Sequence, residues 1–159
     1  MKAALLGFLA ISICLSAQPV SGRDASPAAQ DLKGDLQSLR AGARSTPAFI
    51  HQLSGHVLLL MDKAHQPKAP SVEQFAQSLA TALSGHSFSQ NDIDGLAADM
   101  ERALRAPGAS LSAFEQTVKD FERRLMRAGV PPARARLVAS SLERLAKEVR
   151  GPEDTPAAR

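Results

Sequence analysis

Tryptophan and tyrosine are missing from the chain, and only six phenylalanines occur in 159 residues. Large amphipathic rings dominate binding hot spots and base-stacking platforms, so a protein that works by stacking on bases is an unlikely reading of this composition. Cysteine occurs once, at Cys14, which leaves no partner for an intramolecular disulfide and no thiolate pair for zinc. No GxSxG elbow, phosphate-binding P-loop or dinucleotide fingerprint is present, so the sequence offers no local catalytic signature and no cofactor site; the expectation is a protein that is not an enzyme. Strand-forming residues do not cluster, whereas alanine is abundant, and this favours helices. Hydrophobic residues make up 44% of the chain and charged residues 22%, proportions ordinary for a globular protein.

One apolar run does stand out. Lys2 precedes Ala3 to Leu15, AALLGFLAISICL, which is too short to span a bilayer as a helix and has the length of a signal-peptide core. Val20-Ser21-Gly22 supplies small residues where a signal peptidase reads them. The sequence therefore predicts a signal peptide over residues 1–22, with Ala17 as a second cleavage position. The bulky Ile13 argues against acylation of Cys14. Cleavage would remove Lys2 and Cys14 and lower the net charge from +3 to +2. The expected product is exported, periplasmic or extracellular, and without a transmembrane segment. It would form a single helical domain over residues 23–150 with a disordered tail over 151–159, where GPEDTPAAR has nothing to bury.

Within that domain the pattern is all-α, about six amphipathic helices in a small bundle of helical hairpins. Ser26-Pro27 and Thr46-Pro47 each pair a capping hydroxyl with a proline at the first helical position. Leu32, Leu36, Leu39 and Ala43 follow the first signal at helical spacing, and Phe49, Leu53, Val57 and Leu60 follow the second. The second helix also has Leu58, Leu59 and Met61 on other faces, which predicts a central position in the bundle. Residues 65–70 read as a loop. Ser71 with Gln74 reads as a capping box, ahead of a stripe of Val72, Phe75, Ala76, Leu79 and Leu83. Gly85, Pro107-Gly108 and Gly129 are breaks. Leu111, Phe114, Val118, Phe121 and Leu125 form a heptad-like seam, and Val138, Leu142, Leu145 and Val149 form the last inward stripe. Matches at offsets near 40, such as Ser71/Phe75 with Ser110/Phe114, suggest hairpins over 71–105 and 110–150 that repeat one another, although periodic stripes alone produce such matches.

The stretch SQNDIDGLAADME, residues 89–101, resembles an EF-hand loop when counted from Gln90: Asp92, Asp94, Gly95 and Glu101 fall at loop positions 3, 5, 6 and 12. The first position, however, is the neutral Gln90. The alternative is a helix start, with Ser89 as cap, Asp92 at N3, and Phe88 and Ile93 as a hydrophobic staple. The helix is favoured, because burying Ile93, Leu96, Met100 and Leu104 is worth roughly 1.5–3 kcal/mol each against about 1 kcal/mol for Gly95 in a helix. The calcium- or metal-responsive sensor using Asp92, Asp94 and Glu101 is kept as the second functional reading. His51 and His56 are five apart, off the i, i+4 spacing of helical metal pairs.

Charge is uneven. Residues 110–150 contain nine Lys/Arg against five Asp/Glu. Arg123, Arg124, Arg127, Arg134 and Arg136 flank the turn between the last two helices and are the candidate partner-binding residues. A basic tip of this kind suits an acidic protein face or an anionic envelope surface, or the acidic stretch 71–106, with five acids against two bases, within one molecule or between two copies by self-association. Nucleic acid is not expected for an exported chain. The sequence thus points to a small exported helical binding, structural or adaptor module.

Overall fold

The computed structural model describes residues 26–61, 67–105 and 109–150. The leader at 1–22, Cys14, His65, the Pro107-Gly108 break and the tail at 151–159 lie outside the described residues. Those described form six helices and no strand: α1 (Pro27–Arg40), α2 (Pro47–Leu59), α3 (Ala69–Leu83), α4 (Gln90–Arg105), α5 (Leu111–Arg127) and α6 (Pro132–Arg150).

The starts and stops follow local chemistry. Ser26, Thr46 and Ser110 each accept a backbone N–H from three residues on, at 3.3 Å, satisfying donors that a helix start leaves open. α1, α3 and α5 each end two residues before a glycine with positive φ, Gly42 at 92°, Gly85 at 78° and Gly129 at 88°. A side chain is disfavoured there.

The helices close into a ring in the order α1–α2–α3–α6–α5–α4, and paired contacts such as Lys33–Asp94 with Gln37–Gln90, and Ser71–Glu148 with Gln74–Arg144, show ring neighbours running antiparallel. α1, α2 and α3 pack on one another, as do α4, α5 and α6; the two triplets join where α1 meets α4 and α3 meets α6. α3 and α4, though consecutive, pack on other helices rather than on each other. The hairpin read over 71–105 is therefore corrected: its helices belong to different triplets. The better internal correspondence is between triplets. Val72, Phe75, Ala76, Leu79, Ala82 and Leu83 of α3 match Ala135, Val138, Ala139, Leu142, Leu145 and Ala146 of α6, and every one is buried. Leu32-x-x-Asp35-Leu36 of α1 matches Leu96-x-x-Asp99-Met100 of α4, again all buried. One hydrophobic cluster, from Ala29 to Val149, draws on all six helices.

Other expectations also change. α2 is an edge helix, not a central one: it packs on α1 and α3, and Leu59 is 61% exposed. Its uniform greasiness reflects a lack of charge rather than burial on every side. α3 starts at Ala69, within the expected loop, because Pro70 fits its first turn. Ser71 is then inside the helix and forms no capping box. Its hydroxyl donates to Glu148 at 3.0 Å, while Gln74 Oε1 accepts from Arg144 at 2.9 Å; both tie α3 to α6. Leu111 leaves the α5 seam, 56% exposed, since the first helical residue points past the end of the core. Thr117 is buried in that seam instead.

Candidate functional site

The antiparallel ring brings three turns, 41–46, 84–89 and 128–131, to one end. Gln37 near the end of α1 bonds Gln90 at the start of α4 (3.3 Å). A Cβ at Gly129 would stand 3.3 Å from His86 Nδ1, so the α5–α6 turn abuts the α3–α4 turn. This end holds the arginines that the sequence marks.

The structure divides those five arginines. Arg123, Arg127, Arg134 and Arg136 are exposed. Arg123 pairs with Asp120 at 2.9 Å and Arg136 with Glu122 at 3.4 Å. The side chains of Arg127 and Arg134 make no ion pair or hydrogen bond among the described residues. Arg124 turns inward. Its Nε donates to Asp99 Oδ2 at 2.8 Å, and Asp99 is 1% exposed. Arg124 is thus committed to holding α5 on α4, and it leaves the outward set.

The same contact accounts for Gly95. A Cβ there would lie 2.1 Å from Arg124 Nη1, so the guanidinium crosses α4 at its one residue without a side chain. Asp99 Oδ1 accepts no hydrogen bond among the described residues, and Arg102 Nη1 stands 3.5 Å away. Burial raises the Asp99 pKa, and the Arg124 and Arg102 charges offset this in part.

The EF-hand-like carboxylates are parts of a helix surface. Asp92 Oδ2 accepts from the Ser89 N–H (2.9 Å) and hydroxyl (2.6 Å), and Ser89 Oγ accepts the Asp92 N–H at 3.1 Å. This reciprocal capping box is the one expected from the sequence. Burial pushes the Asp92 carboxyl up, but the Ser89 hydrogen bonds, with the fields of Arg127 and Arg124, lower it on balance. Asp94 pairs with Lys33 of α1 at 2.9 Å, and Glu101 with Arg105 at 2.7 Å. The three carboxylates do not converge, and among the described residues no group of three or more His, Cys, Asp or Glu is arranged to hold a metal ion. His51 is exposed. His56 Nδ1 pairs with Asp35, which also accepts from Gln52 Nε2 at 2.6 Å.

Sequence reasoning missed two features. Arg40 and Arg44, both exposed, join the basic end from the first hairpin; linear clustering around one turn hides them. The clamps on Asp35 and Asp99 were visible as acids set within apolar stripes, Leu32/Leu36 and Leu96/Met100. No family model matches the chain, nor does any curated protein or solved structure. No helix among the described residues is long and apolar enough to cross a membrane.

Proposed function

We propose that this is an exported, non-enzymatic helical module that binds an anionic partner through the basic end of its bundle. The observation behind this reading is the outward set Arg123, Arg127, Arg134 and Arg136, in which the side chains of Arg127 and Arg134 make no ion pair or hydrogen bond among the described residues, although Arg127 lies within the field of Asp92. An exposed guanidinium without an intramolecular partner keeps its planar fork of donors for an outside carboxylate or phosphate. Export is supported by the leader-like residues 1–22, and N-terminal sequencing of material recovered outside the cytoplasm should begin near Arg23.

The test is crosslinking in the native envelope with the wild type and with the pair Arg123→Glu and Arg127→Glu. Capture should fall at least ten-fold while the helical circular-dichroism signal is retained. Equal capture by the reversed pair removes the basic end from the mechanism.

A further inference from the structure

Arg40 ends α1 and Arg44 lies in the turn that follows. Both are exposed, and neither side chain makes an ion pair or hydrogen bond among the described residues. They belong to the α1–α3 triplet, whereas Arg127 and Arg134 belong to the α4–α6 triplet. The Gln37–Gln90 bond and the His86–Gly129 approach hold the three turns at one end. Asp120 and Glu122 nearby are already paired with Arg123 and Arg136, and Asp92, capped by Ser89, meets the field of Arg127. Exposed positive charge therefore spreads across the end of both triplets, in excess of the acids there.

Exposed apolar side chains accompany it. Leu137, on the second turn of α6, is 69% exposed, and Met126, in the last turn of α5, is 37% exposed. An acidic peptide would be served by cations converging on one groove. Dispersed guanidiniums flanked by an exposed Leu and Met match instead a two-dimensional array of phosphates over an apolar layer.

We propose that this end of the bundle docks on an anionic lipid bilayer, with Arg40, Arg44, Arg127 and Arg134 on headgroup phosphates and Leu137 and Met126 at the rim of the contact. The inference rests on the basic-end reading above and deepens it by naming the partner and adding Arg40 and Arg44. Attraction is electrostatic and falls as salt rises.

The experiment is sedimentation of the exported protein with vesicles of neutral phosphatidylcholine, with or without 30 mol% phosphatidylglycerol. Variants are Arg40→Gln with Arg44→Gln, Arg127→Gln with Arg134→Gln, and Leu137→Ser, with helicity checked for each. Binding should require the anionic lipid and weaken at 0.5 M salt. Each arginine pair should lower affinity about 25-fold, roughly five-fold per guanidinium, and Leu137→Ser should lower it several-fold. Equal binding to neutral vesicles overturns the proposal. An effect of the Arg127/Arg134 pair alone overturns the extended surface but leaves the basic α5–α6 end as a binding site. No vesicle binding, with polyglutamate bound in an arginine-dependent way, overturns the lipid partner and leaves the module's anion-binding function. Binding to neither, together with unchanged envelope capture by the Arg123/Arg127 reversal, overturns both readings.

Discussion

The guanidinium of Arg124 lies across Gly95 and bonds Asp99 one helical turn further along α4. A glycine that resembles the sharp turn of a calcium loop is in fact the gap through which one helix reaches another. α5 owes part of its position on α4 to that gap.

Gly95→Ala should therefore destabilise the fold, against its helix propensity. Alanine gains about 1 kcal/mol in a helix interior. Its Cβ, however, displaces Arg124 and leaves the buried Asp99 short of a donor, at about 1.5–3 kcal/mol for a charge-assisted bond. The net cost should be about 1 kcal/mol by urea unfolding. In an Arg124→Ala background the same substitution should stabilise, and this reversal of sign is the coupling a double-mutant cycle reads.

Two aspartates on α4 should titrate in opposite senses. The folded-state pKa of Asp99 is raised by burial above its ordinary 3.8. Its contribution to stability is present below 3.8 and is lost as pH rises through the folded value. Asp92 is lowered from 3.8, so its contribution is present above 3.8 and is lost as pH falls through the folded value. Relative to wild type, Asp99→Asn should look better at pH 7 than at pH 4. Asp92→Asn should cost about 1 kcal/mol at pH 7 and progressively less in acid. Chemical unfolding at a series of pH values measures both; parallel pH profiles for the two variants would refute the assignment.

Much of the secondary structure was legible because it is written locally. Ser26, Thr46, Ser89 and Ser110 announce starts, Gly42, Gly85 and Gly129 announce stops, and the stripes of α3, α4 and α6 bury the residues expected, as does that of α1 apart from Ala43, which lies past the helix end and is half-buried. Tertiary pairing was not legible. Adjacent amphipathic helices resemble a hairpin whether or not they touch, so α3 and α4 were paired when α1 and α6 are their real neighbours across the triplet boundary. α2 misled because hydropathy alone does not distinguish an uncharged edge helix from a core helix. Of the candidate site, the arginines were visible, but the inward turn of Arg124 depends on a gap in another helix, and the addition of Arg40 and Arg44 depends on topology.

Calcium should leave the protein unchanged. Asp92 is engaged by Ser89, Asp94 by Lys33 and Glu101 by Arg105, and gathering them would dissolve the first turns of α4 with their buried Ile93 and Leu96. Thermal melts with 5 mM calcium and with chelator should coincide within about 1 °C. A preferential ligand at a hundred times its dissociation constant would instead add about 2.7 kcal/mol, a shift of several degrees; such a rise would restore the sensor reading.

Asp35 offers the strictest test of the packed core, because its two partners are unequal to it in burial. The carboxylate is 2% exposed, while Gln52 is exposed and His56 is intermediate. Asp35→Ala removes the buried charge and lets both partners turn to water, so it should cost about 1–2 kcal/mol, mostly from lost hydrogen bonds between α1 and α2. The pair Gln52→Ala and His56→Ala does the reverse. It leaves the buried carboxylate without either donor, at about 1–3 kcal/mol for an unsatisfied buried group and more for a charged one. The triple variant should recover most of that loss, since no charge remains to be stranded. Urea unfolding of the three variants decides the order, and a double variant no worse than Asp35→Ala would mean that water reaches the carboxylate in place of His56 and Gln52.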